Sequence, residues 1–322
     1  MISLKRKPKE EPSKIQGCVH GLVISCNPRF NNSYETLPLA KELASRGVNM
    51  LLTREDWPRD ELLFHADGRI EYVPCDYEQY EDFRLPSHEA YEGGKFLKGK
   101  GFIIASDSMP EEKRNNTAMV LGVDKAFYLD LREAYDYFFR NNKGISRHFF
   151  EDEKGRHIDR LVNIGNTKKI LFSYNAPVLQ EILGDVASEI GYSQALLPRE
   201  ESGMGAINFV ELGDHVVIDR RATGSIKVLE ELGYNIIPTP RAMVFTNLLQ
   251  GGVRCSCTEI PNHVYEMIDF APRKKINWKL QEPAFKDLEG RAARLYKNWE
   301  KEATGDYIVP PSLASSRASA PV

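Results

Sequence analysis

Short apolar segments that alternate with helical patterns constrain the fold of this chain most. Residues 19–26 form a β-branched run, residues 37–46 follow with apolar side chains at helical spacing, and residues 48–52 form the next apolar run. The order strand, helix, strand recurs at intervals of about 50–70 residues. In the later units a hairpin precedes the helix, and no literal sequence repeat is present. The pattern predicts an α/β protein built from ββαβ units, which is typical of a pseudosymmetric fold.

Glycine and proline delimit many of the predicted elements. Gly47 is expected to end the first helix, and Pro38 to lie in its first turn, where a missing N–H is tolerated. The pairs Asp67-Gly68 and Gly213-Asp214 predict hairpin turns. Further helices are predicted at 111–121, 180–189 and 222–232, and further strands at 91–97, 101–105, 125–129, 169–173, 207–212, 215–218 and 234–238.

The composition is that of a globular protein with neither a nucleic-acid surface nor a membrane segment. Of the 322 residues, 42% are hydrophobic and 28% are charged, so a sizeable buried core is expected. The formal net charge of −3 argues against nucleic acid as a partner, because such binding needs clustered Lys and Arg. No apolar run approaches the roughly 18 residues of a transmembrane helix, so no membrane partner is expected. The basic start of the chain lacks the apolar run of a signal peptide.

Four segments are predicted along the chain. Residues 1–15 are rich in Lys, Glu and Pro and are expected to form a disordered basic tail. Residues 16–270 contain the alternating strands and helices and are expected to form the α/β domain. Residues 271–311 are charged and contain one helical pattern, which predicts a C-terminal helical extension. Residues 312–322 are rich in Ser and Ala and are expected to form a second disordered tail.

The use of cysteine indicates a reducing, cytoplasmic location. Five cysteines, an odd number, are scattered without the spacing of a disulfide framework. Cys18, Cys26 and Cys75 lie on predicted strands or at their edges. Packing in the core is the expected role of these three.

A double glycine followed by two thiols is the strongest candidate for chemistry. Gly251 and Gly252 allow the backbone to pass close to another segment, and Cys255 follows three residues later. A nucleophilic Cys255 must be a thiolate, for which Arg254 is an adjacent cation. Two alternatives are open at this point. Cys255 and Cys257 are small core residues, or they form a metal-binding pair, for which a lone Cys-x-Cys is weak evidence.

His157 and Asp159 form a second candidate motif. Side chains two residues apart on an extended segment project to the same side, so an imidazole and a carboxylate are expected to face one site. Histidine can protonate a leaving amine and then deprotonate water near neutral pH. The alternative is a pair of surface side chains, since His-x-Asp also arises by chance.

Two further carboxylates stand beside residues that favour a site. Glu92 precedes Gly93-Gly94, which allows close backbone approach or forms a turn before a hairpin. Asp60 follows Arg59, with Trp57 nearby, so a partly buried carboxylate is expected. One thiolate, one imidazole and three carboxylates suit a cationic, planar substrate. Guanidinium is the natural candidate, because its N–H donors match carboxylates bidentately.

The motifs and their order resemble the guanidino-group modifying enzymes of the pentein, or amidinotransferase, superfamily. The resemblance rests on Asp-Trp-Pro-Arg-Asp, Glu-Gly-Gly, His-Ile-Asp and Gly-Gly-Val-Arg-Cys, at residues 56–60, 92–94, 157–159 and 251–255. It implies a five-bladed α/β propeller of ββαβ units around a central site, with 16–270 as the catalytic domain. The family also implies that neither a metal nor an organic cofactor is used.

The resemblance implies a role for each candidate residue. Cys255 is the expected nucleophile and His157 the general acid and base. The residues expected to bind the substrate are Trp57, Arg59, Asp60, Glu92, Asp159 and Arg254. Lys95 departs from the family pattern, because many members have Asp or Asn after Glu-Gly-Gly.

The implied activity is hydrolysis of a small guanidine, arginine or a close derivative, through a covalent thiouronium and with release of ammonia and a ureido product. Two alternatives use the same first step: an amidinotransferase, in which an amine replaces water, and a dihydrolase that releases two ammonias. A non-catalytic pentein that binds or scaffolds is the alternative of a different class. A homo-oligomer is compatible with the sequence, which does not determine the oligomeric state.

Overall fold

A computed structural model describes residues 15, 21–25, 33–53, 57–67, 70–72, 93–139, 157–248 and 251–260. The expectations for the tails and the C-terminal extension lie outside these residues, apart from Ile15, which is buried and whose N–H donates to the Arg46 carbonyl at 3.1 Å. Glu92, Cys18, Cys26 and Cys75 also lie outside the described residues.

Strands and helices alternate along the described chain. The strands are β1 Gly21–Ser25, β2 Asn49–Thr53, β3 Leu62–Phe64, β4 Ile70–Tyr72, β5 Phe96–Lys98, β6 Phe102–Ser106, β7 Lys125–Leu129, β8 Val162–Gly165, β9 Ile170–Tyr174, β10 Ser193–Leu197, β11 Val210–Leu212, β12 His215–Ile218, β13 Asn235–Pro238 and β14 Cys257–Ile260. The α-helices are α1 Ser33–Ser45, α2 Pro58–Glu61, α3 Glu111–Val120, α4 Arg132–Phe139, α5 Pro177–Ile190, α6 Thr223–Glu231 and α7 Val244–Leu248. Short 3₁₀ helices include Gly93–Lys95, Ile158–Arg160 and Arg199–Met204.

The described strands form five small sheets in a mixed α/β fold. In the sheet β5-β6-β7, the first two strands are antiparallel, and α3 then carries the chain to β7, which pairs parallel to β6. The sheets of β8–β10 and β11–β13 repeat this plan, with α5 and α6 as the crossover helices. The predicted ββαβ unit is therefore confirmed in these three sheets. The strands β3 and β4 form an antiparallel pair, as the Asp67-Gly68 turn predicts.

The sheet that contains β1 follows the same plan but takes its antiparallel strand from the far end of the chain. β1 and β2 are parallel and are joined by α1, whereas β14 pairs antiparallel to β1. Gly21 lies opposite Ile260, and Ile24 lies opposite Cys257. The strand that follows the double glycine therefore completes the unit that the first strand begins.

Apolar side chains of the strands and crossover helices form the core. The largest cluster packs around β8–β10, α4 and α5, where the rings of Phe172 and Phe209 meet edge to face with centroids 5.1 Å apart. A second cluster joins β1 and α1 to β11–β13 and includes Cys257. Every residue of β1, β6 and β9 is buried. These strands are covered on both faces, which explains their continuous apolar sequences.

Several local predictions were wrong for identifiable reasons. Helix α1 begins at Ser33, so Pro38 lies in the second turn of the helix and not in the first. The short helix α2 was not predicted at all; Pro58 starts it, because the fixed φ of proline suits a first helical position. Residues 158–160 form a 3₁₀ turn and not an extended segment. None of the described helices has both the length and the apolar composition to cross a bilayer.

Candidate active site

Short segments from distant parts of the chain converge on one region. Helix α2, which carries Arg59, packs against the 3₁₀ turn Gly93–Lys95 and against β14. The turn Gly93–Lys95 in turn packs against the turn Ile158–Arg160. All of the predicted motifs therefore have their described residues in this region, although they are widely separated in sequence.

The Cys255 thiol and the Asp159 carboxylate meet at the centre of the region. Cys255 is 3% exposed and Asp159 is fully buried. The Cys255 Sγ atom lies 3.5 Å from Asp159 Oδ2, with the thiol as the donor. The other carboxylate oxygen, Asp159 Oδ1, is buried and has no hydrogen-bond partner among the described residues. A buried carboxylate oxygen without a hydrogen bond raises the free energy of the folded protein. Asp159 Oδ1 is therefore suited to accept a hydrogen bond from a cationic N–H donor.

Asn208, which the sequence did not single out, joins the two groups. Its Oδ1 accepts the backbone N–H of Cys255 at 3.0 Å, and its Nδ2 lies 3.2 Å from Cys255 Sγ. The same Nδ2 lies 3.2 Å from the Asp159 carbonyl oxygen and 3.3 Å from Asp159 Oδ2. The available signal was a single polar residue within the apolar run 206–210, where Asn208 is only 2% exposed.

Arg254 directly precedes Cys255, and its guanidinium group interacts electrostatically with Asp159 and Cys255. Its side chain is partly buried and donates to Asn163 Oδ1, while Asn163 Nδ2 donates to the carbonyls of Ile207 and Phe209 at 2.8 and 2.9 Å. Burial lowers the pKa of Arg254 to about 10, and the nearby Arg59 acts in the same direction. Arg254 is therefore cationic at neutral pH, and a cation beside a cysteine favours the thiolate.

Arg59 is held between α2 and β5. Only 8% of its surface is exposed, its Nη2 donates to the Phe96 carbonyl at 2.9 Å, and its guanidinium carbon lies 5.2 Å from the centre of the Phe96 ring. Its Nε is buried without a hydrogen-bond partner in the described part of the chain. Lys95, in the adjoining 3₁₀ turn, is fully buried. The region thus concentrates positive charge around the buried Asp159.

The paired glycines of the motifs lie where two segments pass closest to each other. A Cβ atom at Gly251 would come within 2.3 Å of the Trp57 ring, and one at Gly252 would come within 2.6 Å of the Asn208 side chain. A Cβ atom at Gly93 would lie 1.8 Å from the Arg59 carbonyl oxygen. The close backbone approach that the sequence predicted for these glycines is confirmed.

Substituting Gly93 with alanine is expected to lower the free energy of unfolding by about 3 kcal/mol or more, because a methyl group cannot fit against the backbone of α2. Gly203→Ala is the matched control, since a Cβ atom at Gly203 would meet nothing within 4 Å, and its cost is expected to stay within about 0.5 kcal/mol. Urea denaturation of both variants measures the difference. Equal stabilities would show that α2 and the 3₁₀ turn are not in contact.

Cys257 differs from Cys255 in its surroundings. It is the first residue of β14, packs in the second core cluster, and its thiol donates to the Val253 carbonyl at 2.9 Å. Burial raises the pKa of the Cys257 thiol far above its usual range, and Glu259 adds to the effect. Cys255 lies in the preceding turn, so the two thiols do not share one strand. No group of three or more His, Cys, Asp and Glu residues in the described chain is arranged to bind a metal.

The remaining predicted site residues differ in how much of each the structure describes. His157 directly precedes the turn Ile158–Arg160 without a side-chain capping hydrogen bond, is partly buried, and its carbonyl accepts a hydrogen bond from the Tyr135 hydroxyl. Trp57 is partly buried at the start of α2. Asp60 belongs to α2, but its side chain lies outside the described part of the structure. Glu92 immediately precedes the first described glycine of its motif.

Solved structures of guanidino-modifying enzymes share this fold. DDAH from Pseudomonas aeruginosa, a cysteine-to-serine mutant complexed with citrulline, superposes with a TM-score of 0.50 at 12% identity over 74% of this chain and 98% of that chain. The product-bound N-terminal domain of ArgZ, an arginine dihydrolase from the ornithine–ammonia cycle in cyanobacteria, has a TM-score of 0.53 at 12% identity over 75% and 97% of the two chains. A cysteine-to-alanine mutant of AgrE with L-arginine has a TM-score of 0.54 at 11% identity over 75% of this chain and 40% of AgrE.

These neighbours belong to the pentein superfamily, and the chain shares their mixed α/β fold with small sheets. The resemblance that the sequence motifs predicted is thereby confirmed for the fold. No protein-family model and no curated protein sequence matches the chain.

Proposed function

We propose that this protein is a cysteine-dependent hydrolase that acts on the guanidino group of arginine or a related small guanidine. The observation that carries the proposal is the Cys255 thiol 3.5 Å from the fully buried Asp159 carboxylate, whose second oxygen has no partner among the described residues. A pentein fold shared with guanidino-modifying enzymes supports the same reaction class.

The guanidinium group of the substrate binds against Asp159. Its planar N–H donors satisfy Asp159 Oδ1, and the ion pair offsets the cost of burying the carboxylate. Asp60 belongs to α2, and Glu92 directly precedes the described turn Gly93–Lys95 in the sequence; in our proposal these two carboxylates bind the remaining N–H groups. Trp57, Arg59 and Arg254 line the rest of the substrate site, with the two arginines suited to a carboxylate of the substrate.

The Cys255 thiolate then attacks the central guanidinium carbon. A carboxylate 3.5 Å from the sulfur disfavours the thiolate, whereas Arg254 and the bound guanidinium cation favour it. The C–S bond forms and a C–N bond breaks, with His157 donating a proton to the departing ammonia or amine. Water, deprotonated by His157, attacks the resulting thiouronium and releases the thiolate and a ureido product.

We further propose that the five sheets are the blades of a pseudosymmetric five-bladed α/β propeller. Four of the sheets have one antiparallel pair and one parallel pair with a crossover helix, which is the repeat that such a fold requires. β14 completes the sheet of β1 and β2 from the other end of the chain, as a closed ring of blades would need. A reducing cytoplasm, which preserves the Cys255 thiol, is the proposed location.

Incubation with arginine, agmatine and methylated arginines is expected to release ammonia and a ureido product from at least one of them. Ammonia is measured enzymatically and the product by mass spectrometry. One ammonia per product indicates a deiminase, two indicate a dihydrolase, and turnover only with glycine or another amine present indicates an amidinotransferase. Absence of turnover under all of these conditions contradicts the proposal and favours a binding protein.

A further inference from the structure

We propose that Asn208 is a positioning residue that holds the Cys255 sulfur and the Asp159 carboxylate in one hydrogen-bonded unit and donates an N–H to the sulfur. The inference rests on the proposed function, because it assigns Asn208 a part in the reaction of Cys255. Asn208 lies just before β11, whereas Asp159 and Cys255 come from the turns before β8 and β14.

The backbone of Cys255 determines how the Asn208 amide is oriented. The backbone N–H of Cys255 requires an acceptor, and Asn208 Oδ1 takes this position at 3.0 Å. Nδ2 must then face the other way, towards Cys255 Sγ and Asp159. The reverse orientation would place two donors against each other, so the network allows one arrangement of the amide.

Two consecutive backbone N–H groups of the thiol-bearing segment, those of Arg254 and Cys255, donate hydrogen bonds to Asn208. The Asn208 carbonyl accepts the N–H of Arg254 at 3.0 Å, and its side-chain oxygen accepts the N–H of Cys255. Gly252 leaves the space for this contact, since a Cβ atom there would lie 2.6 Å from the Asn208 side chain. The second glycine of the motif is therefore explained by the Asn208 side chain.

An N–H donor at this position has an electrostatic effect on the sulfur. A thiolate 3.5 Å from Asp159 Oδ2 would be repelled by the carboxylate, and Asn208 Nδ2 lies within 3.3 Å of both groups. Because a hydrogen bond to the charged form favours that form, the amide stabilises the thiolate beside the Asp159 carboxylate. Asn208 therefore acts through Cys255 and Asp159.

Asn208→Asp tests this role, because it keeps the acceptor for Cys255 N–H but replaces the donor with a carboxylate. The pH dependence of Cys255 alkylation by iodoacetamide, followed at the tryptic peptide that begins at Cys255, reports the thiolate without any guanidine substrate. We expect the midpoint to rise by about one pH unit or more. With a guanidine that the wild type turns over, kcat is expected to fall about 100-fold with little change in KM.

Asn166→Asp is the control, since the Asn166 amide bonds to the Lys98 carbonyl and the Tyr192 hydroxyl. Its alkylation midpoint and kcat are expected to match the wild type. Asn208→Ala, which removes the donor without adding charge, should raise the midpoint by less than Asn208→Asp does. Thermal melts establish that each variant is folded before either readout is compared.

The outcomes separate this inference from the proposed function. An unchanged alkylation midpoint in a folded Asn208 variant overturns the proposed role of Asn208. Alkylation that becomes faster at every pH without a change in midpoint also overturns this role, because looser packing alone makes the thiol more accessible. Failure of both Asn208 variants to fold also overturns it and assigns Asn208 a purely structural role. If the wild type turns over no guanidine, the proposed function fails, and the midpoint still decides whether Asn208 stabilises the thiolate.

Discussion

Replacing Cys255 with alanine is expected to abolish guanidine turnover, with kcat reduced by about 10⁴-fold or more. Neither the carboxylates nor His157 can form the covalent intermediate, so the variant retains substrate binding but no route through a thiouronium. The measurement is ammonia release at saturating substrate, together with calorimetric titration of the substrate into the variant. Binding without turnover is the expected combination.

Cys257→Ala is the matched control for this experiment, because it removes a second thiol only two residues away. The Cys257 thiol donates to the Val253 carbonyl and packs in the core, so its loss is expected to cost about 1–2 kcal/mol of stability and little activity. An active Cys255→Ala variant beside an inactive Cys257→Ala variant would show that the nucleophile has been assigned to the wrong cysteine. In the wild type, acid quenching during turnover should trap the thiouronium mass on Cys255.

Replacing Asp159 with asparagine is expected to reduce kcat/KM about 10³-fold without lowering the melting temperature. The buried carboxylate has one oxygen without a hydrogen-bond partner among the described residues, so replacing it removes part of the cost of burying a charge. Asparagine keeps an acceptor for Asn208 but loses the negative charge that binds guanidinium in the proposed function. Thermal melts and steady-state kinetics on the same preparation measure both effects.

Asp219→Asn provides a contrast within the same protein. Asp219 is equally buried, but its oxygens accept hydrogen bonds from the N–H of Met243 at 3.0 Å and from the Arg221 side chain at 2.6 Å. Its replacement is expected to cost about 1–3 kcal/mol of stability while kcat/KM is retained. If Asp159→Asn destabilised the protein as much as Asp219→Asn and kept its activity, Asp159 would be a structural residue.

The sequence predicted those parts of the fold that depend on local signals. Gly213-Asp214 marks the hairpin of β11 and β12, and the helical pattern that follows gave α6 to within one residue at each end. The strands β8 and β10 were not predicted. β8 is short and contains Asn163 and Gly165, and β10 begins with Ser-Gln, so both segments become strands only because they pair with β9. Propensity carries no information on such non-local pairing.

The site was predicted from residue types and their order but not from their contacts. The Gly-Gly spacing led to Cys255 and the His-x-Asp spacing led to Asp159, and the structure brings these two side chains together. The assumption of an extended segment at 157–159 was wrong, since a 3₁₀ turn buries Asp159 there. Asn208 could not be found in this way, because its importance depends on two segments that lie far from it in sequence.

Because Gly21 pairs with Ile260, the sheet next to the thiol is the last of the described sheets to be completed during translation. The segments of β1 and β2 emerge from the ribosome early, and one edge of β1 then stays unpaired until β14 emerges. A nascent chain that stops before Cys255 therefore lacks both the proposed nucleophile and the strand that covers this edge. Such a truncated product exposes the unpaired edge of β1, which chaperones and proteases can recognise.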